Sequence, residues 1–536
     1  MLCLFEKYLT FIFLSNYIRK VIYIVFFLSS QTVHTQWLDA YIPDFKVNDD
    51  NLNSYQVNSQ IGVDSAGNFV IVWSDARINP GESYPVQVYC QRYNKDGLLL
   101  GVNFKIGQDT ASGSKITVLK DGRFIVTWSR IFRLNSIQHY EYYYQRFSKE
   151  GNLITPPLKI IDTSFIVAEE FGTGLSIASD SLGRFLICWG KKPNLNSFQS
   201  IYYQRFDSTG TKIGTVDSVN EALSDAEFPS VAMNKDGSFV IVWQDNRQEP
   251  FTTKYDIYMQ RYNTAGVKIG NNVKVNDDLS ALMNRGGAQV STDAIGNTVI
   301  AWNDPRSCGS GEIFYQLFST KGNTVGANRI ANSSPCGAGT NSRVVSMRHD
   351  RYFYIGWSDW FYSGREQFYG RKFDTLGIPI GNAYMITSNS PFGTTQRAND
   401  VKLINDRVYS TWHDNRNGGS LNYDIYCNVR GFQNPDTVIG IIKTLAIVNE
   451  YMLYDAYPNP FNPVTNIKYQ ISKSAAIKIT IFDIKGQQIE VLEDKEQLAG
   501  TYEITWDAGS KASGIYFVRM ESQTGFNQTK KIMLIK

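Results

Sequence analysis

Four tetrapeptides place charge at matching points along this chain: Ser74-Asp75-Ala76-Arg77, Gln244-Asp245-Asn246-Arg247, Asn303-Asp304-Pro305-Arg306 and His413-Asp414-Asn415-Arg416. Each directly follows a Trp. Asp and Arg two residues apart lie on one side of an extended chain. Such a pair can bridge to a neighbouring strand, or it can present a polar surface to a sugar or an acidic group. The candidate ligand-binding set is therefore Asp75, Arg77, Asp245, Arg247, Asp304, Arg306, Asp414 and Arg416, together with Trp360. That Trp opens the aromatic run Trp360-Phe361-Tyr362, which follows the second-strand Trp only in this unit. An exposed aromatic stacks on sugar rings or anchors a protein partner, and the alternative is a Trp packed into its own loop.

Catalytic material is scarcer. Glycoside hydrolysis needs two carboxylates about 5–10 Å apart across one cleft, and Glu169, Glu170 and Glu227 precede strand patterns from which they can contribute. Four His are present (His34, His139, His349, His413), and no Ser-His-Asp arrangement, Gly-rich phosphate loop or zinc spacing accompanies them. Asn48-Asp49-Asp50 and Asn276-Asp277-Asp278 look like fragments of calcium loops but recur as ordinary exits from strands. No catalytic residue, metal or cofactor is assigned. A formal charge of +3, from 53 basic and 50 acidic residues, supplies no field that would gather nucleic acid.

The elements that must position these residues come from a repeat. A Trp closes an apolar run at Trp73, Trp128, Trp189, Trp243, Trp302, Trp357 and Trp412, at successive spacings of 55, 61, 54, 59, 55 and 55. Each unit carries four strand patterns, as in Ser230–Met233, Ser238–Trp243, Asp256–Tyr262 and Val273–Asn276. Asp-Gly hairpin signals at Asp96-Gly97, Asp121-Gly122 and Asp236-Gly237 separate strands. Segments such as Phe69-Val70-Ile71-Val72-Trp73 are apolar on both faces, so both faces must be covered. Seven such units make an all-β, seven-bladed β-propeller over residues 37–430, with the seven Trp as inter-blade core. The seventh unit lacks a fourth strand, and Phe45-Lys46-Val47-Asn48 is expected to supply it and close the ring. Chain direction then gathers the Asp-x-Arg motifs and the Trp360 loop on one face.

Both ends read differently. Arg19 and Lys20 precede the apolar run Val21–Leu28, which is far short of the roughly 20 residues a membrane span needs. A cleaved signal peptide over 1–36 is expected, with no stable transmembrane anchor. Cys90, Cys188 and Cys427 fall in apolar strands and read as buried thiols, whereas Cys308 and Cys336 occupy neighbouring polar loops and form the one disulfide candidate. A linker covers 431–450. Beyond it, Gly-punctuated alternating strands such as Ile477–Ile481 predict a small Ig-like β-sandwich over 451–536.

One resemblance adds to this. Pro458-Asn459-Pro460 within a Pro-rich lead-in, Gly486 after Ile481-Phe482-Asp483-Ile484-Lys485, Gly500-Thr501-Tyr502, Ser513-Gly514-Ile515-Tyr516 and a terminal Lys530-Lys531-Ile532 follow in that order. The segment resembles the type A sorting domain of type IX secretion cargo. The resemblance implies contact with the secretion machinery, passage across the outer membrane, and a surface or secreted location. The propeller repeats are similar to repeats common in such cargo, and that likeness brings no activity with it.

The expected function is a non-catalytic binding or adhesion module with a glycan or protein ligand on the propeller face. The alternatives are a polysaccharide-degrading enzyme using axial carboxylates, and a structural surface component. An acidic pair near the axis would favour the enzyme. An exposed Trp360 would favour binding, and a face of mutually satisfied salt bridges would favour the structural role.

Overall fold

A computed structural model describes residues 41–536, apart from short segments of which 162–173 and 432–450 are the longest. The signal-peptide reading, the linker beyond its first residue, Glu169, Glu170, Trp360, Cys308 and Cys336 all lie outside the described residues. The described residues form strands, turns and bends without a helix, and none of them makes an apolar membrane-crossing helix. Two compact units meet at Gln433 and Asn434.

The first unit is a propeller. Its described residues form seven four-stranded antiparallel sheets. The first blade runs Gln56–Val63, Phe69–Asp75, Gln87–Tyr93 and Phe104–Ile106. In the last, Gln396–Ile404, Arg407–Asp414 and Asp424–Gly431 are completed by the N-terminal strand Ile42–Lys46, which pairs with Asp424–Gly431. The first strand of every blade packs against that of the next, and Gln56–Val63 touches both Ser112–Val118 and Gln396–Ile404, so the ring is closed.

Local sequence explains the strands. In Phe69–Asp75 and Tyr352–Asp359 every residue is buried, because neighbouring sheets cover both faces. Each of the seven Trp sits in its own inter-blade core. Trp128 packs with Val70 and Val72 of the preceding blade, and Trp73 with Tyr409 and Cys427 across the closure. Cys90, Cys188 and Cys427 are fully buried free thiols within these cores, as their apolar context predicts. The hairpins between first and second strands turn on an Asp or Asn. Asp64 accepts hydrogen bonds from the Ala66 and Asn68 amides, and Gly67 adopts φ 92°, which a side chain would resist.

The first strands share a less visible device. A bulge interrupts their register at equivalent points, between Val57 and Gln60, Ser112 and Lys115, Glu227 and Ser230, and Gly286 and Gln289. Within these bulges Asn58, Gly113, Phe228 and Gly287 all take left-handed φ values of 50–64°. Three of the four bulges use Asn or Gly, which tolerate that conformation, whereas Phe228 is bulky and pays for it in backbone strain. Phe228 lines the axial channel.

The second unit is a β-sandwich. Met452–Leu453, Val464–Ile471 and Gly500–Asp507 form one sheet. Gln488–Gln497, Ala475–Asp483, Gly514–Ser522 and Asn527–Leu534 form the other, in that order. Ile467, Ile479, Trp506, Val518 and Ile532 are among the residues that fill the core between them.

Candidate functional site

The strand-two ends bring the four Asp-x-Arg motifs to one face, where each closes upon itself. Asp75, Asp245, Asp304 and Asp414 are fully buried. In each motif one carboxylate oxygen accepts from the preceding Trp indole (2.8, 3.0, 2.9 and 3.3 Å) and the other from the backbone amide of its own Arg. The guanidiniums of Arg77, Arg247, Arg306 and Arg416 return to the same carboxylates at 2.5–2.7 Å. They also stack on Tyr89, Tyr258, Phe314 and Tyr426, with centroid distances of 3.9–4.5 Å. Two of them bridge to the exit of the fourth strand of the blade before, Arg77 to Asp49 at 2.9 Å and Arg306 to Asp277 at 2.6 Å, while Arg416 lies 3.6 Å from Asp44 on the fourth strand of its own blade. Contacts within each motif, with added bridges to neighbouring strands, therefore take up most of the hydrogen-bonding capacity of these eight side chains.

Arg285, which sequence reasoning passed over, is the strongest clamp. Its fully buried guanidinium reaches Asp256 at 3.0 Å and Asp304 at 3.2 Å, and it also contacts Asp278. It stands where Gln56 and Gln396 stand in other blades, opposite Asp75 and Asp414. An Arg in a column that otherwise holds uncharged residues such as Gln56, Ala226 and Gln396 was the available signal.

His413 belongs to the same layer. It is buried, its Nδ1 lies 3.0 Å from the Asn399 amide group, and its ring meets Tyr423 edge-on. Burial, with the nearby Arg397 charge, pushes its pKa down to about 3. The unfolded chain takes up this proton near pH 6.5 and the folded chain does not. Stability should therefore fall as pH drops from 6.5 towards 3, by about 1.4 kcal/mol per pH unit. Urea midpoints at pH 7, 6 and 5 should show this slope, and His413→Gln should flatten it.

Blades two and three depart from the pattern. In blade two the second and third strands extend to Phe124–Leu134 and Ile137–Phe147, and Glu141 takes the centre. Lys159 at 2.8 Å, Tyr143 at 2.8 Å and Arg130 at 3.2 Å hold it. Burial would raise this carboxyl, but those donors keep it below the ordinary range.

At the junction of blades three and four a second carboxylate is tuned the other way. Glu227 is buried on the first strand of blade four. Tyr255 Oη donates to one oxygen at 2.9 Å and Gln244 Nε2 to the other at 3.0 Å. Burial pushes the Glu227 carboxyl up, the two donors and Lys192 oppose the rise, and the charge of Asp225 adds to it. Asp225 is partly exposed, lies 4.0 Å from Lys192 Nζ and accepts from the Gln199 amide at 2.9 Å. Glu227, Asp225, Lys192 and the half-exposed Tyr255 thus form a mixed polar and aromatic cluster without an Asp-x-Arg lock on its blade-three side. Sequence reading had singled out Glu227, but not the partners that tune it. Among the described residues no group of His, Cys, Asp and Glu is arranged to hold a metal ion.

In the C-terminal unit the motif residues do structural work. Asn459 fastens the Pro458–Pro460 lead-in to the last strand, donating to the Lys531 carbonyl at 3.0 Å and accepting from the Met533 amide at 2.9 Å. Thr465 donates to the Pro458 carbonyl at 2.7 Å. Gly486 turns one hairpin at φ 76°, Gly500 and Gly514 each open a strand, and Lys530 pairs with the exposed Asp455 at 3.0 Å.

Residues 455–536 match the family described as the secretion system C-terminal sorting domain, so this unit is a type IX sorting domain. No curated protein matches the chain. Among solved structures, the chain is similar to a protein of unknown function from Dyadobacter fermentans at 12% identity, covering 73% of this chain and 98% of that one with a TM-score of 0.43. It is also similar to polysaccharide lyase Uly1 at 10% identity, with 74% and 100% covered and a TM-score of 0.44. A third is the Penicillium chrysogenum alpha-L-arabinanase complexed with arabinobiose, at 10% identity, 73% and 98% covered and a TM-score of 0.39.

Proposed function

We propose that this chain is a surface or secreted binding protein whose propeller recognises a hydroxyl-rich ligand, a glycan, at the junction of blades three and four. The sorting domain implies export and contact with secretion machinery. The N-terminal reading of a cleaved signal peptide fits the same route.

The observation that carries the site is the contrast between locked and unlocked blades. In the Asp-x-Arg blades each charge meets its partner within the fold, and a ligand would have to break a clamp to use it. Around Glu227 a partly exposed carboxylate, an ammonium, a buried acid and a Tyr face converge, which suits the hydroxyls and the apolar ring face of a sugar. Trp360, on the same face by chain direction, remains a candidate second contact. Binding of an oligosaccharide by the full chain should weaken at least tenfold, about 1.4 kcal/mol, in Tyr255→Ala. Unchanged affinity, measured by calorimetry, would move the site elsewhere.

One observation favours an enzyme as a second reading. A buried carboxyl whose pKa is pushed up, beside a partly exposed Asp, is the arrangement of a general acid beside a base or nucleophile. Release of new chain ends from polysaccharides, abolished in Glu227→Gln while binding persists, would establish it. Binding without turnover keeps the propeller a recognition module.

A further inference from the structure

The seven first strands surround an axial channel holding a cavity of about 240 Å³. That is several water volumes at roughly 30 Å³ each. Just past each bulge, one residue of the first strand occupies an equivalent register position. At three of these positions the side chain clips the next blade. Ser176 Oγ accepts from the Val231 amide at 3.2 Å, Ser230 Oγ from the Val290 amide at 3.3 Å, and Asp400 Oδ2 from the Ile61 amide at 3.2 Å. These clips tie blade three to four, four to five and seven to one.

Blade two places a cation at this position. Its residue at this position, opposite Thr127, is Lys115. An ammonium has three donors and no acceptor, so it cannot receive the N–H of the following blade. That blade offers Ile177, at the register position of Val231 and Val290. Lys115 pairs with no carboxylate among the described residues. Asp400, the acidic side chain nearest to it in the channel, is matched by Lys402, whose ammonium reaches both Asp400 oxygens at 3.0 Å. The described charged groups lining the cavity are thus two cations and one anion, with one cation uncompensated. Solvent reaches Lys115 from the lumen while protein encloses it elsewhere. Burial and the Lys402 charge lower its pKa, and Asp400 opposes them.

We infer that the channel is an oxyanion site, in which a small carboxylate or phosphate takes the place of the missing clip and accepts from Lys115 Nζ and the Ile177 amide. The ligand would add, between blades two and three, a bridge of the kind that three other blades make with their own side chains. This site is separate from the Glu227 cluster and does not depend on it.

The test is protection of Lys115 from amine acetylation in the full chain, read by mass spectrometry, in chloride, inorganic phosphate or acetate at equal ionic strength. The exposed Lys212 serves as the internal control. Labelling of Lys115 should slow several-fold in phosphate, in acetate or in both, with Lys212 unchanged, and the pattern identifies the preferred oxyanion. Lys115→Ser restores the residue type found at Ser176 and Ser230. It should fold, and its melting temperature should lose the dependence on that anion which the parent chain shows. Equal labelling of Lys115 in all three salts, or an anion response that survives in Lys115→Ser, overturns the inference.

Discussion

Arg285→Met should destabilise the propeller by about 3–5 kcal/mol, the range for stripping one partner from a buried ion cluster. The guanidinium has no exposed surface and touches Asp256, Asp278 and Asp304. Its loss leaves three carboxylates that repel one another, two of them, Asp256 and Asp304, out of reach of water. Asp304 retains Arg306 and the Trp302 indole, so its ionised form survives, and Asp256 keeps Lys274 at 3.0 Å. The uncompensated part is therefore the mutual repulsion and the lost fork. Arg285→Lys keeps the charge but supplies one point donor in place of a planar fork, and should fall between the two. Adding Asp278→Asn to Arg285→Met should recover part of the loss. Urea unfolding followed by Trp fluorescence measures all three. A cost below about 1 kcal/mol, the value of an exposed pair, would mean that solvent screens this cluster.

Deleting residues 455–536 should abolish arrival at the cell surface or medium while leaving the propeller folded. The two units have separate hydrophobic cores, so the deletion removes no propeller packing. The lost function is the address, which resides in a domain matched over that same segment. Cell fractionation with immunodetection should find the truncated chain inside the outer membrane, and its circular dichroism should remain that of a β protein. Surface delivery equal to the full chain would show that the sorting domain is dispensable here.

The architecture was legible because its signals are redundant. Seven Trp at near-constant spacing, apolar second strands and Asp-Gly turns all report the same repeat, and the missing fourth strand pointed to Phe45–Asn48 because a sheet edge needs a partner; the strand formed is Ile42–Lys46, overlapping it by two residues. The site was less legible, for a physical reason. Asp75 and Arg77 look the same in sequence whether they face a ligand or each other. Only the indole of Trp73, the ring of Tyr89 and the carboxylate of Asp49 show that their charges are taken up within the fold. Glu227 could be singled out, but burial pushes its pKa up and Tyr255, which opposes that rise, lies 28 residues away in the chain. Lys115 becomes conspicuous only after the first strands are aligned through their bulges. Departures from a repeat carry the information, and recognising them requires the register.

The central claim, that the propeller face binds a glycan, is tested most directly by probing a broad glycan array with the purified full chain. Reproducible binding to a defined glycan class, lost in Tyr255→Ala, is the predicted result. No binding to any glycan would contradict the claim and leave the propeller as a partner for protein or a scaffold on the cell surface.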